Sequence, residues 1–272
     1  SYGTGEQMLS ALDKGVKRIV IGMGGSATVD GGVGILQALG CRFLDEDGAE
    51  LASLPGELVR LASVDVSRVD KRIFDCEVVV LCDVDNLLLG AQGAAAMFGP
   101  QKGARPEDVR LLDAGLERLA AVASRERGKD IASITYGGTA GGASAGLFAF
   151  LDARLVNGID YFLELTGFDA ALGSADLVIT GEGSIDEQTL QGKGPFGVAA
   201  KAKEYGLPVI ALAGKVPLER NVSLLRYFDV LVAIGNEPAD LPAALRSAGE
   251  NMTRMGWEIG NMLAVSASIF RG

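Results

Sequence analysis

Residues 17–40 read KRIVIGMGGSATVDGGVGILQALG, the residue types of a strand, a glycine-rich turn and a helix in succession. The β-branched run at 18–21 suits a buried parallel strand. Gly22, Gly24 and Gly25 interrupt it, Ser26 and Thr28 add hydroxyls, and Asp30 precedes two further glycines. Val33, Leu36 and Leu39 then share one helical face, and Gly40 supplies the stop. Such a turn sets bare backbone N–H groups beside the positive end of a helix, an arrangement that binds anions, phosphate above all. A tight turn without a ligand is the alternative. Six glycines between positions 22 and 34 exceed what a turn needs, since each adds entropy to the unfolded chain. The reading therefore favours a bound anion.

Before this stretch a helix is expected, with Thr4 as cap, Met8, Leu9 and Leu12 on one face and Gly15 as stop. A helix running into a buried strand implies an earlier strand in the same unit, so the chain reads as the later part of a longer protein. After it, residues 41–51 (CRFLDEDGAEL) read as a hairpin turning at Asp47-Gly48, and 52–72 as irregular. Residues 77–82 (EVVVLC) form another buried strand, which delivers Asp83, Asp85 and Asn86 at its carboxyl end. A glycine-studded loop reaches Lys102, and a helix is expected over 106–124. Residues 136–146 (YGGTAGGASAG) are either a flexible linker or a packed loop near a ligand, with helices following at 147–153 and 160–171.

From Asp176 the chain alternates regularly. Strands are expected at 177–180, 208–213 and 230–234, and helices at 195–205, 218–227 and 241–265. Alternation of this kind makes an α/β fold, a parallel sheet with helices on both faces and ligands at the carboxyl ends of its strands. Residues 41–165 lack the alternation. The expected division is one domain built from 1–40 and 166–272, with a second domain, 41–165, inserted into it.

Composition narrows the chemistry. Glycine makes up 38 of 272 residues, roughly twice the usual share, which suits loops that approach a ligand closely. A net charge of −10 argues against a nucleic-acid or anionic-membrane surface, though a few lysines could still hold one anionic substrate. Cys41, Cys76 and Cys82 form no CxxC pair, and no signal peptide or spanning run is visible, so a cytoplasmic protein is expected. The chain has no histidine, which excludes a histidine-based triad and a histidine-rich zinc site. Any general base is then a carboxylate, a lysine or another group.

Acidic side chains follow three expected strands: Asp30, the pair Asp83 and Asp85, and Glu182 with Asp186. Each alone suits a helix cap or turn; several along one sheet edge suit a divalent metal on phosphates or a base for a hydroxyl proton. Lys102 in GPQKGA and Lys193 in QGKGPFG stand among glycines, as solvated loop lysines or as point charges for phosphate or carboxylate. Together these features suggest phosphoryl transfer, although neither the Walker pattern nor a protein-kinase catalytic loop occurs. A Rossmann NAD site is an alternative, because Gly22, Gly24 and Ala27 match GxGxxA with Asp45 some way beyond.

Four stretches in order, IGMGGSATVDGG, FGPQKGA, LVITGEGSIDEQT and GKGPFGVA, resemble the bacterial glycerate kinases that are unrelated to ordinary sugar kinases. The resemblance runs over essentially the whole chain. It implies two α/β domains, one flavodoxin-like and one restriction-endonuclease-like, with the active site in the cleft between them. It also implies ATP- and magnesium-dependent phosphorylation of D-glycerate, at the 2-hydroxyl in preference to the 3-hydroxyl. On it, Asp83, Asp186 and Lys193 are the expected catalytic groups. Gly24, Gly25, Ser26, Lys102, Gly181, Glu182 and Gly183 would contact ATP, and Asp30, Asp83 and Asp186 the metal. The family's opening APDSFKGSLSA-like and ADGGEGT-like motifs are absent, so a separate N-terminal segment or a homo-oligomer is an expected partner. Ser184 stands where an arginine is usual, and CDVDNLL replaces a CDVTNPL-like run. A non-catalytic protein that binds a phosphorylated metabolite remains the other reading.

Overall fold

The computed structural model describes residues 1–269. α1 (Tyr2–Asp13) buries Met8 and Leu12, and the chain turns at Gly15 into β1 (Arg18–Gly22). The glycine loop then leads into α2 (Val33–Ala38), whose Val33, Ile35 and Leu36 are buried as the spacing requires. β2 (Arg42–Leu44) pairs antiparallel with β3 (Ser63–Asp65). The expected 41–51 hairpin is reduced to one bridge, Leu44 to Glu50, around a turn that Asp45 holds by accepting the Asp47 and Ala49 amides. β4 (Glu77–Cys82) runs parallel to β1, with Val20 opposite Val79. After α3 (Ala94–Phe98), α4 (Pro106–Arg127) and α5 (Thr139–Leu151), β5 (Arg154–Asn157) joins the far side of β4 in parallel. The order β1-β4-β5 makes β4 central, and its unbroken apolar run is what a strand covered on both faces requires.

α6 (Gly158–Leu165) and α7 (Phe168–Leu172) precede a second all-parallel sheet. Its strands are β6 (Val178–Ser184), β7 (Val209–Lys215) and β8 (Val230–Ala233), paired in that order, with α8 (Gly194–Glu204) between the first two. α9 (Leu241–Arg246) and α10 (Ala248–Ile269) follow, so the single helix expected over 241–265 is two, parted at Ser247. The helix expected over 218–227 is only a 3-10 turn at Leu224–Arg226. Period-two alternation on β7 divides two apolar layers: Val209, Ala211 and Ala213 pack with Ala199 and Ala202 of α8, while Ile210 and Leu212 pack with Ile259 of α10. Helices therefore cover both faces of this sheet, as expected.

The chain divides into two compact units, residues 1–162 and a second beginning at Leu163. The boundary falls close to the expected position 166. The expected grouping of 1–40 with 166–272 is corrected, because β1 finds its sheet partner in β4 and α2 packs on α1 and α5 of the first unit. Periodicity marks a strand without naming its neighbour, and a parallel neighbour can lie far along the chain.

The second glycine stretch is packed, not a linker: it is a turn leading into α5, whose start is kinked out of helical geometry at Ala140, Gly141 and Gly142. Tyr136, Ala140, Gly141 and Gly142 take φ of +71°, +54°, +67° and +87°, and the backbone so bent presses against the first glycine loop. Gly31 N–H donates to the Gly141 carbonyl at 3.0 Å. A Cβ on Gly141 would stand 2.1 Å from the Thr28 carbonyl oxygen, and one on Gly146 2.0 Å from that of Gly31. Gly146→Ala should therefore destabilise the first unit by about 2–3 kcal/mol. Gly256→Ala on α10, where a Cβ meets nothing within 4 Å, should be neutral or stabilising by up to about 1 kcal/mol. Urea unfolding of the two variants checks both; equal midpoints would contradict the close-contact account.

Candidate active site

In the first unit the strand ends converge as the sheet dictates. β1 and β4 are parallel neighbours, so the loop after Gly22 and the loop after Cys82 leave the same edge. The Asp83 carboxylate comes close to Gly24: its Oδ2 lies 3.8 Å from where a Cβ on that glycine would stand. Asp83 is exposed and makes no hydrogen bond or ion pair among the described residues, as is also true of Asp85. Gly25, Ser26, Asp83, Gln101 and Lys102 line one cavity of about 120 Å³. Lys102 Nζ donates to Ser26 Oγ at 2.9 Å and to the Thr28 carbonyl at 2.7 Å. Burial holds its ammonium below the usual lysine range, against an opposing pull from the Asp30 carboxylate. Lys102 also lines a second cavity of about 320 Å³ with Thr28 and Asp30.

Asp30, expected among the metal ligands, is turned into the protein. Its Oδ1 accepts from Gly32 N–H at 3.0 Å, and its Oδ2 from Gly34 N–H at 3.4 Å and the Ser1 hydroxyl at 2.6 Å. Only 5% of the residue is exposed. It anchors the amino end of α2 and supplies a negative field behind Lys102. The loop after β4 is braced in turn: Asn86 Nδ2 donates to the Gln92 carbonyl, Gly138 N–H to the Asn86 carbonyl, and Thr139 Oγ1 to the Val84 carbonyl.

In the second unit the acidic motif lies inside β6 rather than after it. Gly181 meets β7 so closely that a Cβ would stand 2.2 Å from the Leu212 carbonyl oxygen, whereas Gly183 faces open space. Glu182 Oε2 pairs with Lys193 Nζ at 3.6 Å, and Lys193 sits at the amino end of α8. Asp186 begins a 3-10 turn, its Oδ1 accepting from Gln188 N–H at 2.9 Å. Gly181, Glu182, Gly183, Asp186 and Lys193 thus form a second set of expected residues on one strand and the turn that follows. Asp83 and Asp186, both expected at the metal, belong to different units. Among the described residues no three histidine, cysteine or carboxylate side chains group as a metal site.

Sequence reasoning missed two residues. Lys215, at the carboxyl end of β7, is the register partner of Ser184 and forms no ion pair among the described residues. The Gly-Lys pair at 214–215 was its signal. Thr189, fully buried, links Glu182 to Asp186; it closes the quoted stretch LVITGEGSIDEQT, but nothing in that stretch assigned it a role. The dinucleotide alternative is corrected: β2 pairs antiparallel with β3 instead of lying parallel beside β1, and Asp45 is held by Arg60 at 2.6 Å. Burial pushes the Cys41 and Cys82 thiols up to about 12 and about 11, so they stay protonated and inert. Among the described residues no helix is long and apolar enough to cross a membrane.

Parallel sheets whose strand ends carry glycine loops, unpaired carboxylates and held lysines define an α/β protein. The profile described as "Glycerate kinase family" matches residues 1–264, and the chain belongs to that family. It is similar to the glycerate kinase of Halalkalibacterium halodurans, 51% identical over 216 residues that cover 79% of this chain and 57% of that protein. It is similar also to the glycerate 2-kinase of Escherichia coli K12, 40% identical over 265 residues covering 97% and 70%. A crystal structure of a candidate glycerate kinase 2 from Salmonella typhimurium LT2 superposes with a TM-score of 0.82 at 43% identity, over 98% of this chain and 70% of that one. The chain spans 57–70% of the length of these relatives.

Lys102 carries a pH signature of its own. Its folded pKa lies below the unfolded value of 10.5, so the unfolded chain binds the extra proton in the window between them. Stability relative to Lys102→Met should therefore rise as the pH climbs through that window toward 10.5, and stay constant below it. Urea unfolding of the two proteins across that range measures the difference; a difference independent of pH would contradict the burial of this ammonium.

Proposed function

We propose that this protein is a kinase that transfers the γ-phosphoryl group of ATP to a hydroxyl of D-glycerate, with 2-phosphoglycerate the product in preference to the 3-isomer. The observation that carries the reading is the shared cavity in which the held Lys102 ammonium, the glycine loop and the unpartnered Asp83 carboxylate meet. Membership of the glycerate kinase family and the names of the relatives support the substrate and the donor. A net charge of −10 leaves such lysines as the means of holding two anionic substrates.

In this reading the backbone of Gly24 and Gly25 and the Ser26 hydroxyl cradle phosphate oxygens, and Lys102 neutralises charge on them as a point cation. Gly181, Glu182 and Gly183 give the nucleotide a second contact, with Gly183 leaving its backbone open to a ligand. One of Asp83 and Asp186 takes the proton of the glycerate hydroxyl as its oxygen bonds to the γ-phosphorus and ADP leaves. Lys193 stabilises the charge that spreads over the transferring group.

The donor set fits magnesium held in part by the substrate. Asp83, unpartnered beside the Lys102 cavity, offers hard carboxylate oxygens to an ion that takes its other ligands from phosphate and water, and Asp186 offers the same in the second unit. When bound, magnesium would neutralise phosphate charge next to these carboxylates. Asp30, with both its oxygens engaged, contributes by holding the loop. A cytoplasmic location belongs to the same proposal, and three buried unpaired thiols support it.

A coupled assay of ADP release that depends on both ATP and D-glycerate tests the reading, and phosphorus NMR of the product separates the two isomers. Asp83→Asn and Asp186→Asn should each lower kcat by about a hundredfold or more. Wild-type turnover in both variants would sink the assignment of these aspartates, and nicotinamide binding without any effect of ATP would sink the reading as a whole.

A further inference from the structure

Thr189 is fully buried, and its hydroxyl has two partners of opposite kind. The oxygen accepts from the backbone N–H of Asp186 at 3.1 Å. An N–H can only donate, so the hydroxyl hydrogen is free to turn to the other partner, Glu182 Oε1, at 2.6 Å. That length is typical of a hydroxyl donating to an ionised carboxylate. The second oxygen of the same carboxylate, Oε2, faces Lys193 Nζ at 3.6 Å. Asp186 meanwhile spends Oδ1 on the Gln188 amide, and its side chain and that of Thr189 cap the turn reciprocally through each other's backbone. One buried hydroxyl thus sets the rotamer of Glu182, through it the place of Lys193, and the backbone from which Asp186 projects.

We propose that Thr189 is a positioning residue of the phosphoryl-transfer site, acting through Glu182 and the Asp186 backbone. The proposal rests on the kinase reading above and deepens it. Valine has nearly the shape of threonine but cannot bond either partner. Thr189→Val therefore leaves a part-buried carboxylate oxygen and a part-buried amide without their protein partner while the apolar packing is kept. The Glu182 side chain is then free to leave its rotamer, and Lys193 with it. Groups that stabilise charge in transfer act only when held in place, and a displacement of about 1 Å is worth about a hundredfold in rate.

The test is a double-mutant cycle on the full protein, with Thr189→Val, Glu182→Ala, the double variant and Thr189→Ser. Thr189→Val should lower kcat by about a hundredfold with KM for glycerate changed less than about threefold. Thr189→Ser, which keeps the hydroxyl, should restore most of the rate. The double variant should lose far less than the product of the two single losses, because both remove one arrangement. Unchanged kcat in Thr189→Val, no rescue by serine, or fully multiplicative losses would each overturn the proposal. If the valine variant does not fold, Thr189→Cys takes its place with the same outcomes. If the parent protein turns over no glycerate, the kinase reading falls by itself. The cycle is then read in the rise of Tm with magnesium and ATP: a smaller rise in Thr189→Val that serine restores supports the positioning role, and equal rises, or none in any protein, overturn it.

Discussion

The first unit depends on a contact between two stretches of bare backbone. Gly141 and Gly146 lie against the carbonyl oxygens of Thr28 and Gly31 at distances that leave no room for a Cβ, and Gly31 N–H closes the contact on the Gly141 carbonyl. Backbone can approach backbone this closely only where side chains are absent. The contact fixes the carbonyl of Thr28, which is one of the two atoms that hold the Lys102 ammonium. The same segment reaches the loop after β4 through Gly138 and Thr139, so the carboxylate of Asp83 and the amine of Lys102 are positioned from one clasp.

The two lysines are held by different physics. Lys102 is bonded to neutral oxygens and partly buried, and desolvation lowers its affinity for a proton while Asp30 opposes the shift from behind. Lys193 is more open to solvent and pairs directly with Glu182, whose geometry a buried threonine sets. A cation held by dipoles is available to an anion without first leaving a carboxylate. One held by a carboxylate must exchange its partner or share it. Under the proposed kinase reaction the asymmetry suits Lys102 to steady binding and Lys193 to charge that develops in the transfer.

Much of this was legible along the chain. The strand, turn and helix at 17–40, the apolar run of β4, the length of α4 and the alternation after Asp176 all follow from periodicity and turn chemistry, and each is present, save that a 3-10 turn replaces the helix expected between β7 and β8. Of the candidate residues, Gly25, Ser26, Asp83 and Lys102 share one cavity, and Glu182 and Lys193 share an ion pair. Asp30 reads identically to a ligand in the sequence, yet its carboxylate is consumed by the amides of its own turn. Glycine-rich 136–146 left linker and packed loop open, because glycine permits both and only its neighbours decide. Thr189 stood inside a quoted motif without a role, since a buried hydroxyl is recognised by its partners rather than by its spacing.

The sequence by itself determined the local elements, the absence of histidine chemistry and the family to which the motifs point. Those properties reside in residue types and in intervals of a few positions. The tertiary structure alone decided that β1 belongs with β4 and β5, that Asp30 faces inward, and that Thr189 couples two carboxylate-bearing positions. The reason is that strand pairing and side-chain satisfaction are settled between residues distant along the chain or turned toward one another. Each is chosen by what lies across the contact, and that is information no single stretch contains.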